Sequence, residues 1–200
     1  MKQPDSPHGE NPPRSRKGAA TRARILETAR CMLVAQGYDG VVMRNVAASA
    51  DMTLGNLQHY FPTREALLAA VVRAEAESDL ADIRRLRDRS DDPESLLRAT
   101  VQTLIRKWRG ESGKVTSLLG FLAQHLPLFR EMYRDVYEAF YRELALTISE
   151  LDGGISEREA LRRARLVTAL LDGAAQQVNR GESGRFLDQV ANEALRIAGG

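Results

Sequence analysis

Residues 41–68 read VVMRNVAASADMTLGNLQHYFPTREALL, and this stretch decides the fold. Val46, Ala47 and Ala50 give its first part an apolar helical face, and a short turn follows at 50–52. The hydroxyl of Thr53 is suited to cap a second helix that runs to about residue 59. The sequence therefore predicts a helix, a turn and a short helix, and a third helix begins after Pro62.

The short helix carries polar side chains rather than a continuous apolar stripe. From spacing alone, two interpretations stay open. A short helix with polar residues near its N-terminus suits insertion into the major groove of DNA. The same spacing also occurs in an ordinary helical hairpin inside a bundle.

Residues 50–68, ADMTLGNLQHYFPTREALL, resemble the recognition-helix signature of TetR-family repressors, and the likeness covers about the first 70 residues. The resemblance implies an all-α protein of about nine helices. Its N-terminal part would be a three-helix helix-turn-helix DNA-binding domain, and its C-terminal part a helical ligand-binding and dimerisation domain. We predict a disordered basic arm over 1–17, the DNA-binding domain over 18–63 and the regulatory and dimerisation domain over 64–200.

The resemblance implies roles for nine residues at the DNA. Side chains that face the groove or the phosphates would be Arg44, Thr53, Leu54, Gly55, Asn56, Gln58, His59, Tyr60 and Arg64. Leu57 and Phe61 would pack inward. Four positions depart from the family pattern: Asp51 replaces the turn glycine, Gln58 a tyrosine, Leu54 a polar residue and Val42 a capping Ser or Thr. These departures leave the operator sequence open.

The positive charge lies at the end that carries the helix-turn-helix. Residues 1–64 hold nine basic and five acidic side chains, net +4, whereas residues 65–200 hold 20 and 22, net −2. The basic residues at the front are Arg14, Arg16, Lys17, Arg22 and Arg24. Such an arm can contact phosphates without reading sequence, or it can be a solubilising tail.

Composition places the chain among soluble proteins. It is 43% hydrophobic and 28% charged, and no apolar run approaches the ~18 residues of a membrane span. The only cysteine, Cys31, allows no intrachain disulfide, so a reducing cytoplasm is the expected setting. We expect Cys31 to be a small core residue on the first helix.

Helix signals continue to the C-terminus. Gly37 should stop the first helix, and Thr63 should cap a helix that reaches about residue 89. Asp92 and Pro93 start a helix to about 109, another covers about 112–125, and Pro127 opens one to about 150. Ser156 begins a capping-box pattern for a helix to about 180, and the last helix spans about 185–198, after Gly181.

Two further residue sets follow from the resemblance. An effector cavity would draw on Trp108, Phe121, His125, Met132, Tyr133, Tyr137, Phe140 and Tyr141, although these side chains can equally fill a core. Helices 8 and 9 would pair with a second subunit through Val167, Leu171, Ala174, Val178, Phe186, Val190 and Ala194. Burial of this second set within one chain is the alternative.

The function implied is a ligand-responsive regulator, a repressor that binds a palindromic operator as a homodimer and is released by a small-molecule effector. The alternative is a ligand-independent DNA-binding or interaction protein. No catalytic motif, metal cluster or cofactor signature occurs, so we expect no enzyme, no metal and no cofactor. The expected partners are double-stranded operator DNA, an effector of unknown identity and a second copy, but no membrane.

Overall fold

The computed structural model describes residues 16–178 and 184–200, and over these residues the chain forms nine α-helices and no strand. The helices are α1 (Arg16–Gly40), α2 (Met43–Ser49), α3 (Leu54–Tyr60), α4 (Arg64–Arg87), α5 (Pro93–Trp108), α6 (Glu111–His125), α7 (Pro127–Leu151), α8 (Glu157–Val178) and α9 (Gly184–Gly199). The all-α prediction is confirmed, and each predicted helix is present.

Side-chain caps begin four of these helices, as predicted. In each, an oxygen of the capping residue accepts the backbone N–H three residues later, which satisfies one of the free donors at a helix start. The pairs are Thr53 Oγ1 with Asn56 N at 3.2 Å, Thr63 Oγ1 with Ala66 N at 3.1 Å, Asp92 Oδ2 with Ser95 N at 2.9 Å and Ser156 Oγ with Glu159 N at 3.2 Å. The capping box at Ser156 is only half formed, because the Glu159 carboxylate binds Arg162 and Arg163 instead.

The first helix differs from the prediction in three ways. It begins at Arg16, so the last two residues of the predicted arm, Arg16 and Lys17, are helical; residues 1–15 lie outside the described residues. Gly37 has a positive φ of 74°, so the helix is interrupted there, yet a further turn continues to Gly40. The prediction for Cys31 is wrong: its thiol is exposed, on the face opposite the buried Ile25, Ala29 and Leu33.

The chain divides into two compact units. Among the described residues, the first unit comprises 16–75 and 114–133, and the second comprises 76–113, 134–178 and 184–200. Helices α4, α6 and α7 therefore contribute residues to both units. This division by packing differs from the predicted functional boundary at residue 63, which remains a prediction.

Each unit has its own apolar core. In the first unit, α1, α2 and α3 bury side chains that include Ile25, Leu33, Val46, Leu57 and Phe61. In the second, α5, α8 and α9 pack on one another around a core that also takes residues from α4 and α7. The side chains there that are at most 1% exposed include Ile83, Leu97, Leu104, Ile105, Leu144 and Ile148. Burial of each such side chain stabilises the fold by roughly 1.5–3 kcal/mol.

A buried carboxylate lies inside the second unit. Asp79 on α4 has no exposed surface, and its Oδ2 accepts the indole N–H of Trp108 at 2.9 Å. Lys107 pairs with Asp79 and, at 2.7 Å, with Asp82. Partial burial alone would lower the pKa of Lys107, but hydrogen bonds to these two carboxylates raise it above its ordinary value. The charge on Asp79 is thus compensated where water is excluded.

The junction between α5 and α6 requires glycine at position 113. Gly113 is buried, and a Cβ there would overlap the backbone carbonyl oxygen of Trp108. We expect Gly113→Ala to lower the free energy of unfolding by about 1–3 kcal/mol, because the backbone must shift to accept one methyl group.

Gly120→Ala, on the same helix, is the matched control. A Cβ at position 120 would meet no heavy atom within 4 Å, so this substitution should raise stability by about 0.5–1 kcal/mol through helix propensity. Urea unfolding followed by circular dichroism measures both variants. Equal effects of the two substitutions would contradict the close approach at Gly113.

Candidate nucleic-acid interface and regulatory residues

The turn between α2 and α3 sets the angle at which α3 leaves. Asp51 has a φ of 51°, the only positive φ of a non-glycine residue among those described. Aspartate tolerates this left-handed conformation better than most residues, which agrees with its place at the family's usual glycine. The backbone N–H of Met52 bonds to the Ala47 carbonyl at 3.0 Å and closes the turn.

Helix α3 has one buried side and one open side. Leu57 and Phe61 have no exposed surface, which confirms that they pack inward. Thr53, Gly55, Asn56, Gln58 and His59 are exposed, whereas Leu54, which shares the helical face of Leu57 and Phe61, and Tyr60 are half-buried. A Cβ at Gly55 would meet nothing within 4 Å, so the chain itself does not require glycine there. Seven of the nine residues predicted to contact DNA therefore lie on α3 or at its N-cap, and five of these seven are exposed.

Arg44 and Arg64, the remaining two residues predicted to contact DNA, differ in exposure and in their contacts. Arg44 is exposed at the start of α2. Arg64, at the start of α4, places its guanidinium 4.0 Å from the centroid of the Tyr38 ring and donates to the Tyr38 carbonyl. Its side chain is 27% exposed. Arg64 therefore ties α4 to the end of α1, a role that the sequence did not reveal.

Positive charge on the first unit lies along the start of α1. Arg16, Lys17 and Arg24 are exposed there, whereas the guanidinium of the half-buried Arg22 lies 5.3 Å from the centroid of the Phe61 ring. Arg22 thus packs against an anchor of α3. The predicted phosphate-binding arm is represented among the described residues by Arg16, Lys17 and Arg24, and Arg14 lies outside them.

The eight predicted effector residues fall into both units. In the first, Met132 is buried and Tyr133 is exposed. Phe121 and His125 are also exposed and form an edge-to-face pair with ring centroids 5.2 Å apart. In the second, Trp108 and Phe140 belong to the hydrophobic core, while Tyr137 and Tyr141 are half-buried. A role in ligand binding remains a prediction for this set.

The sequence did not indicate that Asp172 contacts a residue of the predicted effector set. It lies on α8, half-buried, and its Oδ2 accepts a hydrogen bond from the hydroxyl of Tyr137 on α7 at 2.7 Å. Burial raises the pKa of the Asp172 carboxyl above its ordinary value, against the lowering effect of the Tyr137 hydrogen bond. The available signal was one acid within the apolar run LLDGAA at 170–175, but only the fold places it against Tyr137.

The predicted dimer contacts need correction. Val167, Leu171, Ala174, Val190 and Ala194 are at most 4% exposed and form part of the core of the second unit, so they cannot contact a second chain in this conformation. Phe186 is half-buried, and the side chain of Val178 lies outside the described residues. The wide apolar faces of α8 and α9 are wide because each helix packs against two others within one chain.

A different stripe of α8 faces outward. Its members are spaced at helical intervals and are all exposed: Arg162, Leu166, Ala169, Gly173 and Gln177. We call these five residues the outer stripe. Leu166 is 45% exposed, and an open groove of about 890 Å³ runs beside the first turns of the helix, between Ser156 and Leu166. The small residues at 169 and 173 leave room for a second helix to approach.

Among residues 16–178 and 184–200, no group of three or more His, Cys, Asp or Glu side chains could hold a metal ion. None of the described helices is long and apolar enough to cross a membrane.

Comparison with known proteins agrees with this geometry. Residues 25–71 match the family described as bacterial regulatory proteins, tetR family. The HTH-type transcriptional regulator BetI of Paraburkholderia xenovorans (strain LB400) is 28% identical over 156 residues, which cover 76% of this chain and 78% of BetI.

Solved structures share the fold over nearly the whole chain. A transcriptional regulator from Rhodococcus sp. RHA1 is 22% identical, with a TM-score of 0.75 over 88% of this chain and 95% of that one. A regulator from Saccharomonospora viridis, solved in complex with choline, is 22% identical, with a TM-score of 0.71 over 89% of this chain and 95% of that one.

The raised pKa of Asp172 predicts a pH-dependent stability difference. A carboxyl that holds its proton more tightly when folded loses stability as pH rises from its ordinary pKa of 3.8 through the raised value. Asp172→Asn keeps an acceptor for Tyr137 but cannot ionise. We therefore expect this variant to melt at a higher temperature than wild type at pH 7, with a difference that shrinks as pH falls toward 4.

Asp188→Asn on α9 is the control, because Asp188 is exposed. Its melting temperature should follow wild type at each pH. A lower melting temperature for Asp172→Asn at pH 7 would show that the ionised carboxylate is stabilised by its surroundings.

Proposed function

Because this chain belongs to the TetR family of transcriptional regulators, which bind DNA through a helix-turn-helix and are not enzymes, we propose that it is a repressor. It binds a palindromic operator as a homodimer, and a small-molecule effector releases it. The observation that carries the proposal is α3, whose Leu57 and Phe61 are fully buried while its polar side chains are exposed. In a bacterial cell, operator binding takes place in the cytoplasm.

Specific contacts come from the middle of α3. The amide side chains of Asn56 and Gln58 can each pair with the N6 and N7 edge of adenine, and Leu54 can contact a thymine methyl group. Gly55, with no side chain to intervene, allows the backbone to approach the DNA. His59, Tyr60 and Arg44 contact phosphates, and the backbone N–H groups that follow Thr53 lie at the start of the helix.

Arg64 acts on the DNA indirectly. Its guanidinium stacks on the Tyr38 ring and donates to the Tyr38 carbonyl, so these contacts join α4 to α1. We assign it a positioning role in place of the phosphate contact that the family pattern implied. We also assign Arg22 a positioning role, because its guanidinium packs against the ring of Phe61, the second side chain that anchors α3.

Dimerisation uses the outer stripe of α8. Two such stripes can cross closely at Ala169 and Gly173, and Leu166 then becomes buried. A two-fold dimer presents two copies of α3 about 34–36 Å apart, one turn of DNA, and therefore reads a palindrome.

Release follows from a shift between two conformations. An effector that binds the second unit and prefers a conformation in which the two α3 helices no longer match successive major grooves lowers operator affinity. α4 is suited to transmit the change, because one continuous helix contributes residues 64–75 to the first unit and 76–87 to the second. The choline complex of the Saccharomonospora viridis regulator supports a small organic effector.

Substitutions of Asn56 on α3 and of Arg44 on α2 should separate sequence-specific from non-specific DNA binding. Asn56→Ala removes one bidentate base contact from each half of the palindrome, so it should weaken binding to the operator by at least about 30-fold, with little change on random DNA. Arg44→Ala should weaken binding to both DNAs and reduce the salt dependence. Gel retardation with the DNA that flanks the coding region, across a salt series, measures these effects.

Gln124→Ala, an exposed amide on α6, is the control for the loss of an amide and should bind as wild type does. If Asn56→Ala binds the operator with wild-type affinity, α3 does not read bases through this residue, and the proposed interface is wrong.

A charge in the outer stripe should dissociate the dimer. Gly173→Glu is tolerated within one chain, because a Cβ there meets no heavy atom within 4 Å. In a dimer it would bring two glutamates together near the two-fold axis. We expect the monomer mass in sedimentation equilibrium, an unchanged helical spectrum and operator affinity lowered at least about 10-fold.

Gly153→Glu introduces the same charge at an exposed glycine outside the helix, where nothing lies within 4 Å either. It should leave the mass of the wild-type dimer unchanged. A dimer that survives Gly173→Glu would place the interface elsewhere.

A further inference from the structure

Lysine is rare among the basic side chains of this chain. Of the 29 Lys and Arg residues, four are lysines, namely Lys2, Lys17, Lys107 and Lys114. The distinction matters chemically, because a lysine amine that has lost its proton is a nucleophile, whereas the guanidinium of arginine stays protonated in proteins. Acylation of a basic side chain is therefore confined to very few positions.

Two of the three lysines within the described residues are occupied. Lys107 is half-buried and pairs with Asp79 and, at 2.7 Å, with Asp82. Partial burial alone would lower the pKa of Lys107, but hydrogen bonds to these carboxylates raise it, so the amine keeps its proton. Lys114 is exposed, but its ammonium donates to the Val34 carbonyl at 3.1 Å. Both amines are held by oxygen acceptors and are therefore poor nucleophiles.

Lys17 differs from these two lysines. It is exposed near the start of α1, and none of residues 16–178 and 184–200 binds its ammonium. Its backbone carbonyl accepts the Thr21 hydroxyl at 3.0 Å, a contact that does not involve the side chain. Among the described lysines, the amine of Lys17 is thus the one that a reagent in solution can reach.

Two exposed arginines lie close to Lys17 on the same helix. Arg16 precedes it, and Arg24 follows two turns later on the same face, about 10 Å along the axis. No acidic residue occurs between positions 11 and 26 to offset these charges. Guanidinium groups bind phosphate through paired hydrogen bonds, so this surface attracts anions that carry a phosphate group.

We propose that Lys17 is a site of Nε-acylation by small acyl phosphates, and that the modification lowers the affinity of the protein for DNA. Arg16 and Arg24 attract the phosphate of the acyl donor and so raise its concentration beside the Lys17 amine. The effect on DNA binding rests on the proposed function, whereas the reaction at Lys17 does not depend on it.

The reaction needs no group beyond the amine and the acyl donor. The unprotonated Nζ of Lys17 attacks the carbonyl carbon of the acyl phosphate, and a C–N bond forms. The bond between the carbonyl carbon and the phosphate oxygen breaks, and the departing phosphate takes the proton that the nitrogen gives up. The products are a neutral amide on Lys17 and inorganic phosphate.

Loss of the ammonium changes the electrostatics of the start of α1. Acylation turns a cation into a neutral group, so each subunit loses one of its three exposed cations there, Arg16, Lys17 and Arg24. A dimer loses two. Because each phosphate contact releases counterions, the slope of log affinity against log salt concentration should fall by up to about 2. Phosphates carry no sequence information, so operator and random DNA should be affected alike.

Peptide mass spectrometry on the full chain, without DNA, tests the reaction directly. The probe is acetyl phosphate, and the control reagent is N-acetylimidazole, a neutral acetyl donor. We expect acetyl phosphate to modify Lys17 at least about 5-fold faster than Lys107 or Lys114, and the preference should shrink as salt is added. The preference should be smaller with N-acetylimidazole, which the arginines do not attract.

A matched pair of arginine variants tests the attraction of the donor. Arg24→Gln should slow the reaction of Lys17 with acetyl phosphate and leave its reaction with N-acetylimidazole unchanged. Arg109→Gln, at an exposed arginine of the second unit, should react as wild type does. Modification of Lys17 no faster than of Lys114, or the same preference for Lys17 with both reagents, would overturn the proposal.

Gel retardation with operator and random DNA tests the consequence. Wild type acetylated at Lys17, and Lys17→Gln, should bind both DNAs at least about 10-fold more weakly than untreated wild type, with a smaller salt slope. Lys17→Arg keeps the charge but cannot be acylated, so treatment with acetyl phosphate should not change its affinity. Lys114→Gln, the matched control, should bind DNA as wild type does.

The outcomes distinguish this inference from the proposed function. Selective acetylation of Lys17 that leaves the affinity for both DNAs unchanged refutes the regulatory role and leaves operator binding standing. Loss of affinity on treatment of Lys17→Arg assigns the effect to another amine and also refutes that role. Weaker binding of random DNA after acetylation, without a specific operator complex before or after it, supports the inference and counts against the repressor function.

Discussion

The placement of α3 depends on the burial of two side chains, Leu57 and Phe61. A helix of seven residues has too few hydrogen bonds to be stable by itself, so packing must hold it. Both anchors have no exposed surface, and Arg22 lies over the ring of Phe61. The Thr53 cap and the left-handed backbone of Asp51 then fix where the helix begins. With Leu57 and Phe61 in the core, the exposed side chains of α3 are polar, and Leu54 remains half-exposed.

Charged groups fix α4 within each unit. In the first unit, Arg30 on α1 pairs with Glu75, and Arg64 stacks on Tyr38. In the second, Arg84 and Arg87 both bind Glu143 on α7. The carboxylates of Glu75 and Glu143 are only 10% and 12% exposed, so removal of their arginines would leave a largely buried charge without its partner. A helix held in this way moves together with the unit that holds it.

Asp79 and Asp172 are two carboxylates of the second unit that differ in burial and in their hydrogen-bond and charge partners. Asp79 is compensated by an indole N–H and an ammonium group, and so contributes to the core. Asp172 instead accepts a hydrogen bond from the neutral hydroxyl of Tyr137. Asp79 is the more deeply buried of the two carboxylates, and it is the one that has a charged partner, Lys107.

Local signals in the sequence were enough to predict the helices. Thr53, Thr63, Asp92 and Ser156 cap helices because a cap involves only a residue and its third neighbour along the chain. The resemblance implied the inward packing of Leu57 and Phe61, and their burial confirms it. The resemblance over residues 50–68 supplied the family and the expected function.

Long-range packing explains what the sequence did not reveal. Tyr137 meets Asp172 across 35 positions, and Arg64 meets Tyr38 across 26, so no pattern within one helix indicates either contact. Apolar periodicity shows that a face of α8 is buried but not by which partner. That is why Val167 and Leu171 were predicted at a dimer interface, whereas they lie in the core of their own chain. The prediction for Cys31 was wrong for a different reason: apolar residues are its neighbours in sequence, but the residue lies on the face of α1 opposite the buried stripe.

Footprinting of the protein on its operator with hydroxyl radicals tests the central claim most directly. The account predicts two protected segments related by two-fold symmetry, with centres about 10 base pairs or a multiple of that apart, since two copies of α3 enter successive major grooves. A single asymmetric segment, or uniform protection that does not depend on sequence, would contradict a dimer that reads a palindrome through α3.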